Sequence, residues 1–197
     1  MAASTLTVPQ AEMPMSLDLR GRVGMFCLIA AESAIFTIFV VAYLYYAGKS
    51  TGPTPREVLE VPIFISICLF SSSFTIVMGE KAIHRGNVML FTAWLFATII
   101  LGAIFVGGSL REWYRLIYED GVTISSSLFG TNFYSLVGLH LSHVIVGLTM
   151  LSTVLIFALL GRVKQEHAER IGVLALYWHF VDTVWVVVLS VVYFIAR

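Results

Sequence analysis

Five apolar runs, each long enough to cross a lipid bilayer, account for most of this chain. They fall at roughly 22–47, 61–83, 88–110, 128–160 and 171–196. A bilayer-spanning helix needs about 20 apolar residues at about 1.5 Å each, and every run meets that length. Of the 197 residues, 58% are hydrophobic and only 12% are charged, with a mean hydropathy of +0.90. A water-soluble domain carries about a quarter charged residues and could not bury so much apolar surface at this size. Lipid as solvent removes the conflict. The expected fold is all-α: an integral membrane bundle of five transmembrane helices over 22–197, after a polar N-terminal segment, 1–21.

The breaks carry turn-forming or charged residues. Gly48, Gly52, Pro53 and Pro55 end the first run, and His84-Arg85-Gly86-Asn87 separates the second from the third. Glu119-Asp120-Gly121 sits in the longest loop, and Arg162, Lys164, Glu166, His167, Glu169 and Arg170 separate the fourth run from the fifth. The N-terminal segment, with Pro9, Glu12, Pro14 and Asp18, has no short apolar run or cleavage site, so no cleaved signal peptide is expected. Alternate breaks lie on the same side of the membrane. Arg20, Arg22, Lys81, Arg85, Arg162, Lys164 and Arg170 fall on the N-terminal side; Lys49, Arg56, Arg111, Arg115 and Arg197 fall on the other. The excess favours a cytoplasmic N-terminus and an external C-terminus. Net charge is zero and no basic stripe is present, so nucleic acid is not an expected partner. Cys27 and Cys68 lie inside apolar runs and read as inert buried thiols.

An ionisable side chain deep in a bilayer costs roughly 2.5–3.5 kcal/mol on insertion scales, so each one needs a physical reason. Glu32 lies about 15 Å along the first helix from Arg22. It is either a proton-handling or lipid-binding carboxylate, or a structural hydrogen bond to a neighbouring helix. His140 and His143 are three apart and share a helix face. His179 and Asp182 are also three apart, and an Asp accepting from a histidine N–H would satisfy both. Measured from the Arg162–Arg170 side, His179 and Asp182 lie about 13 and 18 Å deep, and His143 about 28 Å. If the surplus length of the fourth helix protrudes, His143 falls to the depth of Glu32 and the two can meet. One five-ligand metal site is not favoured, and no bis-histidine haem or copper set is apparent. Ser71-Ser72-Ser73 and Thr75 read as hydroxyls bonded to backbone carbonyls one turn back.

These residues fall into a known pattern. Tyr177-Trp178-His179-Phe180-Val181-Asp182-Thr183-Val184-Trp185 closely follows a Y-W-H-F-V-D-x-V-W motif. Phe133, Gly138, His140, His143-Val144 and Gly147 follow an F-x-x-x-x-G-x-H-x-x-H-V-x-x-G run. Arg22-Val23-Gly24-Met25 with Glu32, and Glu112-Trp113-Tyr114, match two further steps. From about Arg22 to Phe194 the chain resembles subunit III of the haem-copper terminal oxidases, in a five-helix form that lacks the first two helices of longer members. Ser109 stands where that family has a glutamine, and Glu80-Lys81 where it has a histidine pair.

The resemblance implies a non-catalytic subunit with no redox centre, haem and copper lying in partner subunits. It implies direct packing on subunit I, association with subunit II and possible small subunits or a respiratory supercomplex, and a structural phospholipid. It implies support for proton uptake during oxygen reduction and proton pumping, in a bacterial plasma membrane. Its implied lipid-binding or buried polar network is Arg22, Glu32, Glu112, His140, His143, Trp178, His179 and Asp182, with no metal ligand and no catalytic residue. Cytochrome c is the expected electron donor. The alternatives are a quinol oxidase subunit III, a stand-alone intramembrane metalloenzyme using Glu32, His140 and His143, and, ranked last, a transporter with Glu32 as proton carrier.

Overall fold

A computed structural model describes residues 17–47, 49, 59, 61–125 and 127–195. The polar residues Pro9, Glu12 and Pro14, the break at Gly48, Gly52, Pro53 and Pro55, and Arg56 and Arg197 lie outside the described residues. The described chain is helical: α1 Leu17–Tyr46, α2 Ile63–His84, α3 Val88–Tyr118, α4 Leu128–Leu159 and α5 Ala168–Ser190. A 3-10 turn, Gln165–His167, precedes α5, and a π-helical turn, Val191–Ile195, follows it. All five helices are long and apolar enough to cross a membrane.

Two boundaries differ from those expected. α1 starts at Leu17, and α3 runs on to Tyr118, well past the expected end near residue 110. Leaving lipid does not end a helix; a glycine, a proline or a competing hydrogen bond does. No such residue intervenes between Arg111 and Tyr118.

The turns are built by specific groups. Gly86 takes φ +75° between α2 and α3, a left-handed conformation that favours glycine. Asn87 then caps α3 by accepting from the Leu90 N–H at 3.0 Å. Ser127 caps α4 the same way, accepting from the Gly130 N–H at 3.0 Å. The Tyr134 hydroxyl donates to the Val122 carbonyl at 2.8 Å and ties the α3–α4 loop to α4.

α2 and α3 form a close antiparallel hairpin, and α3 packs on α4. α5 packs against α1, α2 and α4 and so forms the centre, while α1 rests on α4 and α5. Within the membrane-spanning stretch of α1 only 6% of residues are buried, against 44% for α5. Cys27 is accordingly exposed, contrary to expectation, because it lies on this loosely covered helix; Cys68 is buried as expected. At one end of the bundle, here the basic end, Arg22 pairs with Glu169 at 2.5 Å and the Gln165 side-chain amide donates to the His84 carbonyl at 2.6 Å. These contacts gather the start of α1, the α2–α3 turn and the α4–α5 turn.

Trp178 of α5 fixes the spacing of three helices. It is fully buried. A Cβ placed at Gly102 of α3 would stand 2.9 Å from its Cη2, and one at Gly147 of α4 would stand 2.9 Å from its Cε3. Small residues let backbones approach where lipid supplies no hydrophobic drive between helices. Gly102→Val and Gly147→Val are each expected to destabilise the chain by about 1–3 kcal/mol through overpacking. A lowered midpoint of thermal unfolding in detergent would show it; unchanged midpoints would refute the wedge.

Candidate functional site

The eight residues expected to form one buried polar network separate into distinct groups at different depths.

The best-defined group joins α1 to α4. His143 Nε2 lies 3.1 Å from Glu32 Oε2, both side chains mostly covered. His143 Nδ1 lies 2.8 Å from the Leu139 carbonyl oxygen. That oxygen can only accept, so Nδ1 carries a hydrogen. Nε2 of a neutral ring then has a lone pair, and its contact with a carboxyl oxygen needs one proton between them. Either the carboxylic acid donates to the imidazole, or the imidazolium donates to the carboxylate. In both forms the pair holds a single proton that can sit on either partner. Phe36 covers the site, its ring 5.0 Å from that of His143. Tyr177 donates its hydroxyl to the His143 carbonyl at 3.3 Å and brings α5 to the same point. The contact itself places Glu32 and His143 at one level of the bundle.

The second group joins α2 to α5. Ser73 Oγ lies 3.1 Å from His179 Nδ1 and also bonds the Asp182 carboxylate. The expected direct His179–Asp182 hydrogen bond is therefore replaced by a serine bridge. Three residues along a helix, the two side chains leave at different angles, and Ser73 on the facing helix reaches both. Asp182 Oδ1 is buried without a partner among the described residues. Ser73 was expected to bond its own backbone like its neighbours; its position opposite a buried acid is a tertiary fact.

Ser66, Ser72 and Thr75 of α2 do bond backbone carbonyls one turn back. Ser72 donates to the Leu69 carbonyl and Ser66 to the Pro62 carbonyl. Each then accepts an indole N–H from α5: Trp178 Nε1 at 2.9 Å on Ser72, and Trp185 Nε1 at 3.0 Å on Ser66. Sequence reasoning missed Ser66 and Trp185 as partners. The available signal was a pair of small hydroxyl residues on α2 facing two tryptophans seven apart on α5.

His140 does not join His143 in a common site. It is fully enclosed, stacked on Trp185 at 5.1 Å and flanked edge-on by Phe105 at 5.9 Å. Neither ring nitrogen meets a hydrogen-bond partner among the described residues. Arg22 is spent on Glu169 at the basic end. Glu112 lies at the opposite end, where it accepts from the Tyr193 hydroxyl at 3.2 Å. Among the described residues no three His, Cys, Asp or Glu side chains converge on one point.

Two outcomes test this geometry. Glu32→Gln keeps a donor for His143 Nε2 and should retain most of the stability that Glu32→Ala loses, about 1–3 kcal/mol. Equal losses in the two variants would remove the shared proton. His140→Phe replaces an unpartnered polar ring by an apolar one of similar shape, which is nearly neutral or stabilising. A large drop in unfolding midpoint for that variant would mean that His140 has a partner after all.

Comparison with known proteins fits this frame. The family described as Cytochrome c oxidase subunit III matches residues 16–197. A protein of Nocardia farcinica named "Probable cytochrome c oxidase subunit 3" is 34% identical over 88% of this chain and 87% of its own. A Synechocystis "Cytochrome c oxidase subunit 3" is 38% identical over 89% of this chain and 76% of its own. A Bacillus subtilis "Quinol oxidase subunit 3" is 30% identical over 86% of this chain and 84% of its own. The match spans every helix described above, including both halves of the Glu32–His143 pair and the Trp178 wedge, and the chain belongs to the cytochrome c oxidase subunit III family.

Proposed function

We propose that this chain is the accessory subunit III of an aerobic terminal oxidase that reduces oxygen and pumps protons, with the haem and copper centres held by its partner subunits. The observation that carries the reading is the family match over residues 16–197. The chemistry of the chain's own histidines supports it. His143 spends both ring nitrogens on Leu139 and Glu32, and His140 is walled in by aromatic rings. Neither offers an open nitrogen to a metal beside the other, which weakens the metalloenzyme reading.

On this proposal the chain packs directly on catalytic subunit I, and the sparsely covered α1 supports an interface or a lipid contact on that flank. Subunit II and further subunits complete the assembly in a bacterial plasma membrane. The N-terminus lies in the cytoplasm, as the seven-to-five excess of Lys and Arg favours. Cytochrome c is the proposed donor; the relatives include both cytochrome c and quinol oxidase subunits. Glu32 with His143 supplies a buried hydrogen bond whose one proton can move between the two partners without the bond being lost. That property suits support of proton uptake by a neighbouring catalytic subunit, and a structural phospholipid against α1 would keep the pair dry.

The complex purified with Glu32→Ala should keep its haem spectrum and initial oxygen consumption but lose activity sooner during sustained turnover. A lost haem signal would mean that this chain takes part in holding the redox centres, and would overturn the accessory assignment. Turnover as durable as that of the unaltered complex would remove the role given to Glu32.

A further inference from the structure

The Ser73 bridge between α2 and α5 has two complete ways of placing its hydrogens. Ser73 has one hydroxyl hydrogen, and its oxygen meets both His179 Nδ1, at 3.1 Å, and the Asp182 carboxyl group. If Asp182 is ionised it can only accept, so the hydroxyl donates to it and accepts from Nδ1–H. His179 Nε2 is then left with a lone pair and no hydrogen-bond partner among the described residues. If Asp182 carries a proton, every donor reverses. The acid donates to Ser73, Ser73 donates to Nδ1, and the ring hydrogen is the one on Nε2. The two arrangements differ by one proton, and the serine keeps both contacts in each.

This line has an open end and a closed end. His179 is half-buried, whereas Asp182 is 5% exposed and its Oδ1 is buried without a partner among the described residues. His179 precedes Asp182 on α5 and so lies nearer the basic end. Glu80 lies seven residues from Ser73 on α2, and Gly172 seven from His179 on α5, about 10 Å toward that end in each helix. Those two positions also meet, for a Cβ placed at Gly172 would stand 3.0 Å from Glu80 Oε1. His84 is exposed, one turn further out, with its Nε2 4.0 Å from the same oxygen. An ionisable pair therefore stands on the same seam between the surface and His179. From α1, Ser33 and Thr37 flank the cavity of about 530 Å³ that His179 lines, and each donates its hydroxyl to its own helix at 2.7 Å. Glu32 of α1 and His143 of α4 are committed to one another.

We propose that His179, Ser73 and Asp182 form a proton relay that loads Asp182 from the basic end of the bundle. A proton arriving at His179 Nε2 forms an N–H bond there. The Nδ1–H bond breaks as its hydrogen passes to Ser73 Oγ, and the serine hydrogen passes to Asp182 Oδ2. The carboxylate cancels the charge of the arriving proton, so the step leaves no added charge in the membrane core, where an ion is costly. Oδ1 has no partner to hand the proton on to, which makes Asp182 the terminus. The relay shares no residue with the Glu32–His143 pair and holds whether or not the chain serves an oxidase.

Infrared difference spectroscopy of the full chain in detergent, after a rapid drop in pH, reads the C=O band of protonated carboxyl groups. One component of that band should be lost in Asp182→Asn. Ser73→Ala breaks the line and should slow the appearance of this component about a hundredfold, at the low end of what a positioned proton-transfer group contributes, with its final amplitude kept. Ser73→Thr keeps a hydroxyl and should restore the rate. His179→Ala should be as slow as Ser73→Ala, and imidazole in the buffer should speed it by entering the adjoining cavity. Side chains that only hold α2 to α5 would shift the unfolding midpoint and leave these rates alone. No component lost in Asp182→Asn, or equal rates in Ser73→Ala and the unaltered chain, would overturn the proposal. If Ser73→Ala fails to fold, His179→Ala decides: no acceleration by imidazole would overturn it as well.

Discussion

Trp178 is the group on which the rest of the bundle depends. In lipid, apolar side chains gain little by leaving their solvent for one another, so helices associate through shape and hydrogen bonds. Trp178 supplies both. Its ring fills the space left by Gly102 and Gly147, and its N–H reaches Ser72. Two turns further along α5, Trp185 repeats the hydrogen bond on Ser66 and stacks on His140. α2, α3 and α4 are thereby held on α5, and the depth of every other polar group is set from there.

With that frame fixed, the polar side chains sort by what each can find at its own level. Glu32 finds His143, and Asp182 finds Ser73. His140 finds only rings. The first pairing is chemically the most consequential, because the backbone bond at Nδ1 leaves exactly one proton to share at Nε2. A site that keeps its hydrogen bond whichever partner holds the proton suits a proton-linked role in an oxidase assembly without any redox atom of its own. The Ser73 bridge is different in kind. It satisfies two buried groups from a neighbouring helix and so locks α2 to α5.

The two ends of the bundle contrast in the same terms. The basic end is tied by Arg22–Glu169 and Gln165–His84. At the other end Glu112 and Tyr193 face one another.

The five spans were legible in the amino-acid order, because an apolar run of sufficient length has no stable alternative in water or lipid. The family was legible too, from the helix-5 motif and the spacing of His140 and His143. The buried ionisable residues were legible as residues that needed partners. Which partners they took was not. Ser73 looked like its neighbours Ser72 and Thr75, and His140 looked like a companion of His143. Choosing between such readings requires the rotation and depth of each helix relative to the others, and a one-residue turn of about 100° redirects a side chain to another face. Those rotations are set jointly by the Trp178 wedge and the serine–indole bonds, contacts between residues 31 to 119 positions apart along the chain. Local sequence carries helix length and polarity; the pairing of buried polar groups is a property of the packed bundle.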